Sequence, residues 1–162
     1  MDGALCVLAG VRVDQPHRRG TTYFAVTAEA GQARTGGQTP DFCAGDFVTE
    51  FNKGAARALK AFEADGAMDK TMKLPFADLP GGVFVNIATT DTFTHGWDLA
   101  KATGQSTDLD PELAASLLAF AQGFLSDALR GPDGTAPFGP PVVAPVGASP
   151  ADELAAFLGR QV

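Results

Sequence analysis

Between Val83 and Thr103 the sequence VFVNIATTDTFTHGWDLAKAT contains no proline, spreads apolar residues around most of a helical circumference and meets Gly104 at its end. A helix that is apolar on most sides cannot leave them in water, so other segments must wrap it. Gly104 suits the left-handed position that closes a helix. The sequence therefore predicts one long, central, most buried helix, and the rest of the chain has to supply its cover.

The flanking segments read as further helices. Residues 3–12 form a short apolar block that turn chemistry at Asp14-Gln15-Pro16 would stop. His17 to Ala30 is free of proline, places Phe24 and Ala28 on one face and meets a stop at Gly31. Gln32 to Gly45 should be a loop, because Gly36-Gly37 and Pro40 break helical continuation. Asp46 can cap a helix whose apolar residues Phe47, Phe51, Ala55, Leu59 and Phe62 recur every three or four positions, with Glu50, Lys53, Arg57 and Lys60 on its solvated side.

Past Asp65-Gly66, Met72, Leu74 and Phe76 alternate with Thr71, Lys73 and Pro75, which predicts an extended passage with one edge strand over 71–76. Asp110, Pro111 and Glu112 open a helix carrying Leu113, Leu117, Phe120 and Phe124, expected to run to about Arg130. Gly131 to Gly147 is too rich in glycine and proline to be regular, and Ser149-Pro150 opens a short terminal helix through Leu158. The expected fold is all-α: a single bundle domain over residues 1–162.

Composition narrows the partners. With 162 residues there is room for about one domain. Hydrophobic residues at 45% and charged residues at 19% suit a packed core. The net charge of −7 would repel a polyanion, so no nucleic-acid partner is expected. The apolar stretch from Gly3 to Val11 is about half the ~20 residues of a membrane span, and it follows Asp2 rather than basic residues. No membrane association and a cytoplasmic location are the expectation. Cys6 and Cys43 sit in no CxxC pair and read as reduced thiols.

The chemistry concentrates in the long helix. At 100° per residue Asp91, His95 and Asp98 fall within about 60° of one another, on a sector shared with Phe84, Ile87 and Ala102. A carboxylate and an imidazole on an apolar sector must pair with each other, with hydrogen-bond donors or with a metal. An Asp91–His95 hydrogen bond alone would satisfy that demand. Alternatively, the second histidine of the chain, His17, could supply a further ligand from another helix, although its setting after Pro16 and beside Arg18 and Arg19 also suits an exposed helix terminus. Two imidazoles and one carboxylate suit Zn²⁺, Ni²⁺, Mn²⁺ or Fe²⁺ and leave positions open. HExxH is absent, so nothing points to a zinc peptidase. Asp98 could accept an imidazole N–H from His95 and fix the ring, or serve a helix-surface bond. Trp97 reads as core packing rather than as a stacking platform.

The stretch Asp91-Thr-Phe-Thr-His95-Gly-Trp-Asp-Leu-Ala100-Lys-Ala-Thr-Gly104-Gln resembles the hallmark D/E-x-x-x-H-x-W-D-L-A-x-A-T-G of the mycothiol-dependent maleylpyruvate isomerase-like, DinB-like metal-binding proteins of actinobacteria. Gly66-Ala-Met-Asp-Lys-Thr-Met-Lys-Leu-Pro-Phe76, Leu109-Asp-Pro-Glu-Leu113, Phe138-Gly-Pro-Pro141 and Leu158-Gly-Arg160 are similar to other segments of that family. The N-terminal half is shortened, because Val13-Asp-Gln-Pro-His17 runs straight through where the family carries a Thr-Pro-Cys and Trp-containing segment.

The resemblance implies a DinB-like four-helix bundle with long crossovers holding one divalent metal, Zn²⁺ before Ni²⁺, Mn²⁺ or Fe²⁺. Asp91 and His95 match the family's carboxylate and second histidine, and His17, opening His17-Arg-Arg-Gly20, matches the first. It also implies transferase or isomerase chemistry, with a mycothiol-type low-molecular-weight thiol and a small electrophile as partners. A non-catalytic or degenerate metal-binding module is the alternative. A homodimer through the face left open by the short first helix is a further expectation.

Overall fold

A computed structural model of the 162-residue chain describes residues 20–33, 46–132, 135–136 and 138–162. The apolar block at 3–12, His17, both cysteines and most of the 32–45 loop lie outside the described residues. The described residues form five α-helices, one 3₁₀ turn and a two-stranded antiparallel hairpin and are mostly helical. No helix among them is long and apolar enough to cross a membrane. Two compact units divide the chain at Thr92–Phe93.

The unit ending at Thr92 contains α1 (Gly20–Ala30), α2 (Phe47–Phe62), the hairpin of β1 (Thr71–Lys73) and β2 (Asp78–Pro80), and the first half of α3 (Gly81–Thr103). Gly31 ends α1 at φ 73°, as the sequence predicts, and its N–H closes on the Thr27 carbonyl. Asp46 caps α2 by accepting from the Thr49 N–H at 3.1 Å and the Thr49 hydroxyl at 2.6 Å. The core joins Phe24 and Ala28 of α1, Met72 of β1, and Phe84 and Ala88 of α3. Phe24 and Phe84 meet edge to face at 5.7 Å, a geometry worth about 0.5–1.5 kcal/mol beyond area burial.

Two expectations shift in this unit. The apolar stripe of α2 is only partly its inner side: Phe62 packs on the core with its ring 5.9 Å from that of Phe84, but Phe51 and Leu59 are 52% and 62% exposed, whereas Gly54 and Ala58 are buried. The reason is the close approach of α1, for a Cβ on Gly54 would lie 2.4 Å from the Thr21 hydroxyl oxygen. A small residue sets the contact with α1, and Phe51 and Leu59 are turned away from the core. The extended passage is also a hairpin rather than one strand: Met72 pairs with Leu79, and Pro75-Phe76 turns the chain as Leu74 N–H donates to Ala77 O. The alternation places Met72 inward, but Phe76 falls in the turn and is exposed. Gly81 then starts α3 against the Ala67 carbonyl, where a Cβ has no room.

The unit from Phe93 onward contains the second half of α3, α4 (Pro111–Phe124), a 3₁₀ turn (Asp127–Leu129) and α5 (Pro150–Phe157). α3 ends where the sequence predicts, with Gly104 at φ 69° and Gln105 N–H bonded back to Ala100 O. Asp110 caps α4 through the Leu113 N–H, and Ser149 caps α5 through the Asp152 N–H, both at 3.1 Å. α4 stops at Phe124 instead of continuing to Arg130. Leu125 turns extended, which sends Arg130 inward to donate to Gly139 O and Phe157 O and to stack on the Phe157 ring. The core here is built of Ala114, Leu117 and Ala121 of α4, Ala151, Leu154 and Ala155 of α5, and Trp97 of α3.

Candidate metal centre

The region Ala88–Thr103 holds four threonines within seven residues, 89–95, and β-branched hydroxyls are poor helix formers unless satisfied. Two of them bond back within α3: Thr89 donates to Val85 O and Thr90 to Asn86 O, each at 2.8 Å. The helix is continuous through Asp91, His95 and Asp98. Asp91 is half-buried, the His95 side chain is 39% exposed, and that of Asp98 is 19% exposed.

His95 Nδ1 lies 3.2 Å from Asp98 Oδ2. An ionised carboxylate only accepts, so the contact requires the proton to sit on Nδ1. In the neutral ring Nε2 is then the unprotonated nitrogen, and a carboxylate at Nδ1 is the kind of contact that fixes the tautomer of a histidine. Asp98 is held from its other side as well: Arg160 Nε donates to Oδ1 at 3.3 Å and Nη2 to Oδ2 at 3.2 Å. Burial pushes the Asp98 carboxyl up, but the hydrogen bonds from His95 and Arg160 and the Arg160 charge outweigh it and hold the group below its ordinary range.

Trp97 is 3% exposed and packs with Ala114, Ala151 and Ala155, which makes it a core residue. Its indole N–H donates to Asp152 Oδ1 at 2.8 Å, and Lys101 lies over its ring. The neighbouring residues Trp97 and Asp98 thus reach different residues of the C-terminal segment.

The structure brings His95 and Asp98 together and places Asp91 four residues before His95 on the same helix. His17, expected as the remaining ligand, lies outside the described residues. Among the described residues, no three His, Cys, Asp or Glu side chains gather closely enough to hold a metal ion. The donors that are described fit a divalent cation by type: a carboxylate and an imidazole whose Nδ1 already has a carboxylate behind it. Arg160 and Asp152 were invisible as site neighbours in the sequence, because their partners are 62 and 55 residues away. The nearest local signal is the Leu158-Gly-Arg160 ending, which carries no spacing relation to Asp98.

The chain is 50% identical over 115 residues to two uncharacterized proteins of Mycobacterium tuberculosis, from two strains, a match covering 71% of this chain. It spans 62% of the length of those relatives. No family model and no solved structure matches the chain.

Proposed function

We propose that this is a divalent-metal-binding bundle of the DinB-like type, with His17, Asp91 and His95 as ligands and Asp98 orienting His95. The activity in this reading is thiol transfer or isomerisation of a small electrophile in the cytoplasm, with a mycothiol-type thiol. The observation that carries it is the Asp98 carboxylate at His95 Nδ1, one turn after Asp91. When bound, a divalent cation would supply Lewis acidity that lowers the pKa of a coordinated thiol. The chain's own contribution is to hold the imidazole in one tautomer and orientation and to bring a carboxylate to the same helix.

Metal analysis of untagged protein purified without chelator tests the reading. About one equivalent of divalent metal is expected, lost in His17→Ala and in His95→Ala. Metal lost in His95→Ala but retained in His17→Ala would move the first ligand elsewhere, and a wild type that binds none would end the proposal. Fully metallated protein that never turns over a thiol with an electrophile would leave a binding module without catalysis.

We also propose a second copy of the chain as a partner, since Val48, Phe51 and Leu59 stand exposed along α2. Sedimentation giving a monomer at micromolar concentration would remove that part.

A further inference from the structure

Arg160 sits 62 residues beyond Asp98, and a backbone turn just before it brings the two together. α5 ends in a reversal in which Gly159 takes φ 91° and Arg160 N–H returns to Ala155 O at 2.9 Å. Only glycine fits there: a Cβ on residue 159 would lie 2.9 Å from the Gly139 Cα, and the dihedral is one that side-chain-bearing residues avoid. The turn delivers the guanidinium to Asp98, while its Nη1 donates to Leu158 O at 3.2 Å. The fork is therefore anchored at both ends.

A carboxylate that must orient a histidine needs its own orientation fixed, because rotation about its terminal bond is broad and soft. Asp98 has one oxygen shared by His95 Nδ1 and Arg160 Nη2 and the other taken by Arg160 Nε. A planar guanidinium meeting both oxygens fixes the carboxylate plane in a way that a point charge cannot. We propose that Arg160 is a positioning residue for His95: through Asp98 it locks the imidazole in the Nδ1–H form, with Nε2 as the ligand nitrogen. The assignment of Nε2 to a metal rests on the proposed function above, whereas the tautomer itself does not.

The experiment uses the full chain labelled with ¹⁵N at histidine, the two histidine signals being assigned with His17→Asn. In metal-free wild type near neutral pH, nitrogen chemical shifts should place the His95 proton on Nδ1. A proton found on Nε2 would overturn the proposal before any variant is made. Arg160→Gln removes the fork and keeps the backbone turn, and His95 should then drift toward the Nε2–H form that free imidazole prefers. Zn²⁺ affinity, measured by competition with a chromophoric chelator, should fall about 10–100-fold.

Arg160→Lys keeps the charge without the planar fork and should recover only part of either effect. It also serves as the readable variant if Arg160→Gln fails to fold. Full recovery by lysine would overturn the role of the fork. A loss of thermal stability with the His95 tautomer unchanged would make Arg160 purely structural and equally overturn the proposal. If wild type binds no Zn²⁺, the metal reading falls, and the tautomer comparison still decides whether Arg160 positions the ring.

Discussion

The two compact units use polar side chains to different degrees. In the unit ending at Thr92 the ion pairs are on the outside: Arg57 with Glu29, and Lys53 with Glu50, all exposed, around a core of Phe24, Met72 and Phe84. Exposed pairs of this kind contribute little, so packing holds that unit. In the unit from Phe93 onward the core is made largely of alanine and leucine, and polar groups reach into it. Trp97 bonds Asp152, Asp98 bonds Arg160, and Arg130 reaches Phe157 O. A small-residue core buries less area per contact, and directional bonds from the C-terminal segment make up part of the difference. The unit that carries His95 thus leans more on such partners, although in the other Lys70 also ties distant segments, donating to Ala28 O and Glu29 O.

The contrast can be tested by removing the dominant element of each unit. Phe84 is 1% exposed, and Phe84→Ala should cost about 3–5 kcal/mol, read from the shift in urea midpoint. A loss below about 1 kcal/mol would mean that aromatic packing is not what holds that unit. In the other unit Trp97→Phe keeps a ring and removes the N–H to Asp152, with an expected cost of about 1–3 kcal/mol by circular dichroism, since the chain then has no tryptophan to report.

The smallest effect is in acid. Burial pushes the Asp152 carboxyl up, but the bonds from Trp97, Thr107 and Ser149 and the charge of Lys101 outweigh it and hold the group below its ordinary value. The folded chain therefore binds this proton more weakly than the unfolded chain, whose value is about 3.9. The stability it contributes is complete above that value and is lost as pH falls through the lower folded one. Asp152→Asn should be less stable than wild type at neutral pH, with the gap narrowing once the pH drops below about 3.9. Parallel midpoint curves for the two proteins down the acid limb would show that Asp152 carries no such linkage.

What could be read from the sequence follows from how local the chemistry is. Asp46, Asp110 and Ser149 cap helices through an N–H three residues away, and Gly31 and Gly104 close helices by their own dihedrals, so a short window contains all the relevant information. On α2 the inward place of Phe62 was legible from spacing, but that of Gly54 was not, because it follows from the approach of Thr21. The stop of α4 at Phe124 likewise depends on where Arg130 finds carbonyls in a distant segment. At the candidate centre, the His95–Asp98 pair lies within one helical turn and was visible from spacing. The support that Asp98 receives from Arg160 comes from a fold-level encounter that no periodicity encodes.

Gly159 gives the C-terminal turn an unusual kind of leverage. Its missing side chain is the clearance that lets the tail swing past Gly139, and the arc of that swing decides where the guanidinium of the next residue comes to rest. One methyl group added at residue 159 would act like a shim under a hinge, displacing a contact at Asp98 that is distant in sequence and never touching the imidazole whose aim it alters.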